Sequence, residues 1–159
     1  MLFRRRLAAV KLIGKHVMSK KGLVGLSRDS LRFSQPQILQ TLEVMTDPDS
    51  YPVLVHCTQG KDRTGLIAIL VCLVMKGVPV DAIKEDYVLS QEGLLPMREQ
   101  LIPEVVEIGM KLEYLNAPEK LVYEVRRILD EEYGGVEAYL DMIGFDGKRR
   151  EQLREILKR

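Results

Sequence analysis

The chain contains few of the residue types that several classes of protein require. Its 159 residues include only two cysteines, which excludes a disulfide-stapled scaffold and fits a reducing compartment. The longest uninterrupted apolar run, Leu66 to Met75, is about half as long as a bilayer-spanning helix. Lys and Arg number 24 against 23 Asp and Glu, so the overall charge gives no case for nucleic-acid binding. We therefore expect a soluble, cytoplasmic protein without a transmembrane span.

Apolar residues are plentiful by contrast, since they make up 46% of the chain. A chain of this length is expected to form one domain. A domain of this size buries about 68–70% of the surface that its unfolded chain exposes. A disordered or collagen-like chain is therefore excluded.

Positive charge is concentrated at the N-terminus, where residues 1–28 contain eight Lys or Arg and no Asp or Glu. In residues 1–21, apolar residues recur among the basic ones at a roughly helical spacing. Three interpretations stay open: a helix of the domain with a solvated basic face, a helix at an acidic membrane surface, and an organelle-targeting peptide. We treat residues 1–21 as a basic N-terminal segment and residues 22–159 as the main domain.

The pattern beyond residue 33 predicts one strand, and otherwise only helices. Ser34 to Gln37 has the spacing of a capping box and begins a helix that ends near Thr46. Residues 51–55, Tyr-Pro-Val-Leu-Val, predict a short strand covered on both faces. Further helices are predicted over residues 63–76, 79–90, 94–115, 118–133, 135–143 and 147–158.

The expected fold class is α/β, with a small central sheet flanked by helices and a C-terminal half that is all helical. A single strand cannot form a sheet, because its backbone groups would be left unpaired. Either the region before residue 34 supplies partner strands, or the chain lacks an N-terminal part that its core expects.

The segment between the predicted strand and the following helix has the sequence HCTQGKDRTG, residues 56–65. Its backbone N–H groups can turn inward as an anion-binding nest, and the helix N-terminus adds partial positive charge. Arg63 contributes a planar guanidinium that fits two phosphate oxygens. The same field would stabilise the thiolate of Cys57. The segment therefore predicts a P-loop with a cysteine nucleophile beside a phosphate site.

Transfer of a phosphoryl group also requires a proton donor for the leaving oxygen. Asp47 and Asp49 lie at the far end of the predicted strand, about 17 Å away at roughly 3.3 Å per residue. Asp62 lies inside the loop, next to Arg63, and is the carboxylate closest to the phosphate. No metal or other cofactor is expected, because Arg63 and the amides already neutralise the phosphate charge.

The loop resembles the signature of the cysteine-dependent protein tyrosine phosphatase superfamily, and this version resembles its tyrosine/serine phosphatase family. The similarity continues in DYVLS at residues 86–90 and YGGVEAYLDMIG at residues 133–144, and it covers about residues 22–158. It implies a protein phosphatase domain that hydrolyses phosphotyrosine through a phosphocysteine intermediate. Phosphoserine, phosphothreonine and phosphoinositides are further implied substrates.

The resemblance also assigns roles to residues of the loop. Cys57 is implied as the nucleophile, Arg63 as the phosphate ligand and Asp62 as the general acid. Thr64 would assist the thiolate, and His56 would steady the loop. The implied phosphate-binding residues are Thr58, Gln59, Gly60, Lys61, Asp62 and Arg63, with Lys61 as the extra positive charge for a phosphoinositide headgroup.

The sequence departs from the family pattern in two respects. Trp is absent, so a Trp-Pro-Asp acid loop cannot exist, which agrees with an acid inside the loop. The upstream strands of the family, with their Asn-x-Arg-Asp-x-Gly-type segment, have no clear equivalent, as expected of a family member without its first strands. A non-catalytic phosphate-binding remnant is therefore the alternative to an enzyme.

Single residues also have structural interpretations that compete with the functional ones. Cys57 could be a buried structural thiol, His56 an ordinary histidine bonded to the main chain, and Lys61 a solvated loop residue. Cys72 is expected in the core, with a back-up thiol that traps oxidised Cys57 as the alternative. Three tyrosines at apolar helical positions are also expected in the core, namely Tyr87, Tyr133 and Tyr139.

Overall fold

The computed structural model describes residues 2–158, and their side chains from residue 6 onward. Met1 and Arg159, the outer limits of the predicted domains, lie outside this range. The described helices, in chain order, are α1 (Leu2–Ile13), a π-helical turn (Gly14–Met18), α2 (Ser19–Phe33), α3 (Gln35–Val44), α4 (Asp62–Val74), α5 (Val80–Leu94), α6 (Arg98–Glu107), α7 (Lys120–Tyr133), α8 (Val136–Met142) and α9 (Gly147–Leu157). Short 3₁₀ turns are found at Pro48–Ser50, Leu95–Met97 and Leu112–Leu115.

The predicted α/β fold with a small central sheet is wrong. Residues 2–158 contain no β-strand, and residues 51–57 adopt no regular secondary structure. A strand needs an adjacent extended segment to pair its backbone groups. The region before residue 34 forms helices rather than the partner strands that one interpretation required.

Helix α4 lies at the centre of the fold because it is apolar on all sides. Leu66, Ile69, Leu70 and Val74 of this helix are buried, and α2, α3, α5 and α8 pack against it. The buried side chain of Arg154, from α9, donates through Nε to the carbonyl oxygen of Val74 at 2.8 Å. Both the sides and the C-terminal end of α4 are therefore held in place.

Most of the predicted helices are confirmed, with ends displaced by a few residues. The segment predicted as one helix over residues 94–115 is instead α6 between two 3₁₀ turns, and Gly109, with φ of +77°, lies just after α6. The predicted capping box does not form, because Ser34 has φ of −114° and ψ of 27° and its side chain bonds no amide of α3. The Ser34 N–H instead donates to the carbonyl of Ser30, so α2 runs almost directly into α3.

The tyrosines predicted in the core are found there. Tyr87 and Tyr139 are buried, and Tyr133 packs edge-on against Tyr139, with ring centroids 4.9 Å apart. The Tyr139 hydroxyl donates to the carbonyl of Leu31 at 3.0 Å, which satisfies a polar group deep in the interior.

The N-terminal helices contact the rest of the fold through a close backbone approach. A Cβ added at Gly14 would lie 1.8 Å from the carbonyl oxygen of Ile108, and one at Gly109 would lie 2.5 Å from that of Lys11. Side chains at either glycine would therefore clash with backbone. The Tyr114 hydroxyl also donates to the carbonyl of Met18. Among residues 2–158, no helix combines the length and the apolarity that a bilayer crossing needs.

We expect Leu70→Ala to lower the free energy of unfolding by about 2–5 kcal/mol, because it opens a cavity beside a fully buried position of α4. Urea denaturation followed by circular dichroism measures the change. Leu89→Ala is the matched control, since Leu89 is 61% exposed and its truncation should cost less than about 0.5 kcal/mol. Equal losses in the two variants would contradict the central position of α4.

Candidate active site

The loop of residues 56–65 folds around the sulfur of Cys57 at the N-terminal end of α4. The backbone N–H groups of Gln59, Lys61 and Thr64 donate hydrogen bonds to this sulfur. Gly60, between the first two donors, has φ of +66°, a conformation that strains other residues. The chain therefore turns sharply enough to point several amides at one atom.

These hydrogen bonds lower the pKa of Cys57. Partial burial acts in the opposite direction, but the Thr64 hydroxyl and the N–H groups of Thr64, Gln59 and Lys61 outweigh it and bring the pKa to about 6. The buried Thr64 hydroxyl has no partner of regular hydrogen-bond geometry among residues 2–158, so its proton can turn towards the sulfur. An ordinary thiol has a pKa of about 8.5. Cys57 is therefore mainly a thiolate at neutral pH, which does not fit the interpretation as an inert structural thiol.

Arg63 lies one residue into α4 and is exposed beside the sulfur. Its Nη2 donates to the Thr58 hydroxyl at 3.2 Å, and it takes part in none of the ion pairs formed within the described part of the chain. Arg63 lines three cavities, of about 340, 470 and 220 Å³, and Cys57 lines the first and the third. A cation without an acidic partner therefore borders the space in front of a thiolate, an arrangement that favours a bound anion.

Asp62 is the first residue of α4, and its side chain lines the 220 Å³ cavity together with Cys57 and Arg63. Its carboxylate accepts a hydrogen bond from Lys61 Nζ at 2.5 Å. The structure therefore brings together the three side chains that the resemblance implies for nucleophile, acid and phosphate ligand.

Lys61 points into the protein, which does not match either interpretation of its side chain. It is completely buried, so the solvated alternative is wrong. Its ammonium donates to Asp62 and, at 2.9 Å, to the backbone carbonyl of Asn116. Because internal acceptors occupy this ammonium, the structure gives it the position of a support for Asp62 rather than that of a free charge for a headgroup.

Two residues that support Lys61 were missed by sequence reasoning. Arg98 Nη1 donates to the side-chain oxygen of Asn116 at 3.1 Å and to the carbonyl of Leu115 at 3.4 Å. A chain of polar contacts thus runs from Arg98 through Asn116 and Lys61 to Asp62. The sequence carries no local motif for it, and the only signal was that Asn116 interrupts the helical pattern.

His56 contacts the main chain beside Cys57, whereas Cys72 packs against the core. His56 is exposed, with Nδ1 3.1 Å from the carbonyl oxygen of Cys57, a main-chain contact that both interpretations of this histidine include. Cys72 is a free thiol that packs against the core, and burial, with the nearby Asp86, raises its pKa. It lies eight residues beyond Thr64, the residue of α4 next to the Cys57 sulfur, or roughly 12 Å along the helix, which is too far for a disulfide with Cys57.

The three cavities beside Arg63 have different lining residues. The 340 Å³ cavity includes hydroxyl groups of Ser30, Ser34 and Thr41. The 470 Å³ cavity is largely apolar, with Leu23, Leu26 and Phe33 among its lining residues. The 220 Å³ cavity is also lined by residues that the sequence analysis missed, namely Glu104, Val105, Ile108, Met110 and Tyr114. Among residues 2–158, no three His, Cys, Asp or Glu side chains cluster in a way that could hold a metal ion.

The sequence of this chain is similar to those of a known protein family and of two known proteins. Residues 7–159 match the sequence profile of the tyrosine phosphatase family. The chain is 32% identical over 128 residues to the triple specificity protein phosphatase PtpB of Mycobacterium tuberculosis, a match that covers 67% of this chain and 44% of PtpB. It is also 32% identical over 133 residues to a tyrosine-protein phosphatase of Nostoc commune, covering 78% of this chain and 45% of that protein. The chain thus matches less than half the length of either relative.

We expect Thr64→Val to raise the pKa of Cys57 by about 1–2 units, because a hydrogen bond to a charged group contributes about 1.5–3 kcal/mol. The rate of iodoacetamide alkylation at Cys57, followed against pH by mass spectrometry, measures this pKa. Cys72 in the same sample is the internal control, because its raised pKa makes it react only at higher pH. An unchanged midpoint at Cys57 would show that the hydroxyl does not stabilise the thiolate.

Proposed function

We propose, on the premise that the chain belongs to the tyrosine phosphatase family, that it hydrolyses phosphomonoesters through a phosphocysteine intermediate. The observation that supports this most directly is the arrangement around Cys57. Three backbone N–H groups and a hydroxyl stabilise its thiolate, and Arg63 lines the same 220 Å³ cavity as Cys57. A nucleophile and an anion site that share one cavity are what phosphoryl transfer requires.

In the first step, the Cys57 thiolate attacks the phosphorus atom of the substrate. A sulfur–phosphorus bond forms as the bond between phosphorus and the leaving oxygen breaks. Arg63 and the loop amides bind the non-bridging oxygens, where charge has to be stabilised in the transition state. Asp62 enters this step protonated on Oδ2, the oxygen that Lys61 does not contact, and donates this proton to the leaving oxygen, which departs as a phenol or an alcohol. The hydrogen bond from Lys61 keeps this carboxyl group at the edge of the cavity.

In the second step, a water molecule attacks the phosphorus atom of the phosphocysteine. Asp62, now a carboxylate, accepts the proton of the water as the oxygen–phosphorus bond forms. The sulfur–phosphorus bond breaks, inorganic phosphate leaves, and the Cys57 thiolate is regenerated. The Thr64 hydroxyl assists this step because it stabilises the thiolate as a leaving group.

Phosphotyrosine in proteins is the substrate that we propose first. The 470 Å³ cavity shares Arg63 and Tyr114 with the 220 Å³ cavity that Cys57 lines, and its apolar lining residues offer a surface for an aromatic ring. Both relatives are named as protein phosphatases, one of triple specificity and one of tyrosine specificity. Phosphoserine, phosphothreonine and phosphoinositides remain secondary proposals, the last with less support because Lys61 is buried. The two free cysteines fit action in the reducing cytoplasm.

We expect Cys57→Ser to reduce hydrolysis of p-nitrophenyl phosphate by at least about a thousandfold, because the alcohol is a far weaker nucleophile than the thiolate. Binding of phosphate, measured by calorimetry, should remain, since the amides and Arg63 are unchanged. Cys72→Ser is the control and should keep full activity. Turnover by Cys57→Ser would rule out the phosphocysteine, and a wild-type chain that melts cooperatively, binds phosphate and lacks turnover would be the non-catalytic remnant.

We expect Asp62→Asn to slow substrates according to how much their leaving groups need a proton. Hydrolysis of phenyl phosphate should fall by about a hundredfold or more, and that of p-nitrophenyl phosphate by roughly tenfold or less, because nitrophenolate leaves without protonation. Steady-state kcat/KM for both esters gives the ratio. Glu104→Gln, which changes another carboxylate of the same cavity, should leave the ratio at the wild-type value. Equal slowing of the two esters by Asp62→Asn would contradict its role as the general acid.

A further inference from the structure

The outer surface of the N-terminal helices exposes an unusual number of apolar side chains. This N-terminal surface, residues 6–21, includes Leu12 at 60% exposure and Ile13 at 53%. Leu7, Val10 and Val17 are also exposed. Isolated apolar side chains on a surface need no explanation, but five exposed ones within eleven consecutive positions are a high density of the kind found at interaction sites.

The same surface is positively charged. Arg6, Lys11, Lys15 and Lys20 are exposed and take part in none of the ion pairs between residues that the structure describes. Lys21 pairs with Asp29, the first acidic residue of the sequence. Apolar and cationic groups therefore alternate over a surface that has no acidic residue of its own.

Contacts with the rest of the fold leave most of this surface free. Gly14 is buried against the carbonyl of Ile108, and the Ser19 hydroxyl donates to the carbonyl of Gly109 at 3.3 Å. The positions on either side of Gly14, residues 6–13 and 15–17, are exposed. One face thus attaches the helix to the loop after α6, and the others are open to a partner.

The combination of apolar and basic side chains on this surface favours one kind of partner over another. A nucleic acid would use the cations and leave the apolar side chains in water. An anionic bilayer surface uses both, because its headgroups attract Lys and Arg and its acyl boundary accepts apolar side chains. We infer that the N-terminal surface binds in the plane of a lipid bilayer that contains acidic phospholipids. This binding does not depend on the proposed catalytic activity.

Co-sedimentation of the full chain with vesicles tests the inference. Vesicles of phosphatidylcholine and phosphatidylserine should retain the wild type, and pure phosphatidylcholine vesicles should retain much less. The double variant Lys11→Gln/Lys15→Gln should bind about 25-fold more weakly, because each basic residue near an anionic surface contributes about fivefold. Lys120→Gln/Lys148→Gln, which removes the same charge from other exposed positions, should bind within about twofold of the wild type.

A second pair of variants tests the apolar contribution. Leu12→Ser/Ile13→Ser should weaken vesicle binding by at least about tenfold, whereas the control Leu89→Ser/Leu95→Ser, at exposed positions elsewhere, should not. Circular dichroism shows whether each variant is folded. Equal binding to neutral and acidic vesicles, equal effects of test and control pairs, or preference for duplex DNA over acidic vesicles would overturn the inference.

Hydrolysis of p-nitrophenyl phosphate in solution separates this inference from the proposed function. All four double variants should hydrolyse the ester at the wild-type rate, because none changes a residue of the loop around Cys57. Vesicle binding without hydrolysis would contradict the proposed function alone. Hydrolysis without vesicle binding would contradict the membrane inference alone.

Discussion

The hydrogen bonds that converge on the sulfur of Cys57 are the constraint on which the rest of the site depends. They require the amides of Gln59, Lys61 and Thr64 to point at one atom, and this requires a tight turn directly before a helix. Gly60 permits the turn, and the packed helix α4 keeps the last donor in register. Burial of α4 and the hydrogen bond from Arg154 to its C-terminal end therefore hold the helix in the position that the donors at its N-terminal end require.

Burial of the Lys61 ammonium is the second constraint on the site. A buried cation is tolerated only where acceptors replace its water, and here the acceptors are the carboxylate of Asp62 and the carbonyl of Asn116. The requirement acts in both directions, because the lysine holds Asp62 at the edge of the cavity while Asp62 satisfies the lysine. Arg98 extends the arrangement by orienting Asn116. The helix α6 that carries Arg98 therefore influences the loop although it contributes no residue to it.

The part of the site that could be predicted lies within consecutive residues. In the loop from His56 to Gly65, the turn at Gly60 and the amides around Cys57 involve neighbouring residues only, so the local sequence was sufficient to predict a tight turn around this sulfur. The contact of Lys61 with Asn116 spans 55 positions, and the cavity wall formed by Glu104, Met110 and Tyr114 is equally remote. Such contacts depend on how helices pack, which no local pattern encodes.

The outcomes for the predicted helices and for the predicted strand also differ because helices depend on local residues and strands on distant ones. The amphipathic segments after residue 78 carry their own signals, so most were predicted with small errors at their ends. The run Tyr-Pro-Val-Leu-Val predicted a strand buried on both faces, yet Leu54 is 84% exposed. A run of β-branched residues indicates that a segment would fit into a sheet. A strand forms only where a second extended segment lies alongside it and pairs with its backbone. Among residues 2–158, no second extended segment provides that partner.

Tyr114 joins two regions that the chain separates by almost a hundred positions. Its hydroxyl donates a hydrogen bond to the carbonyl of Met18 at the end of the π-helical turn. Its side chain also lines the cavity that Cys57 lines. The side chain is almost fully buried, so it has little room to absorb a displacement of either neighbour. Tyr114 therefore connects the end of the π-helical turn to one wall of the cavity beside the sulfur, and the packing of the N-terminal helices helps to fix the position of that wall.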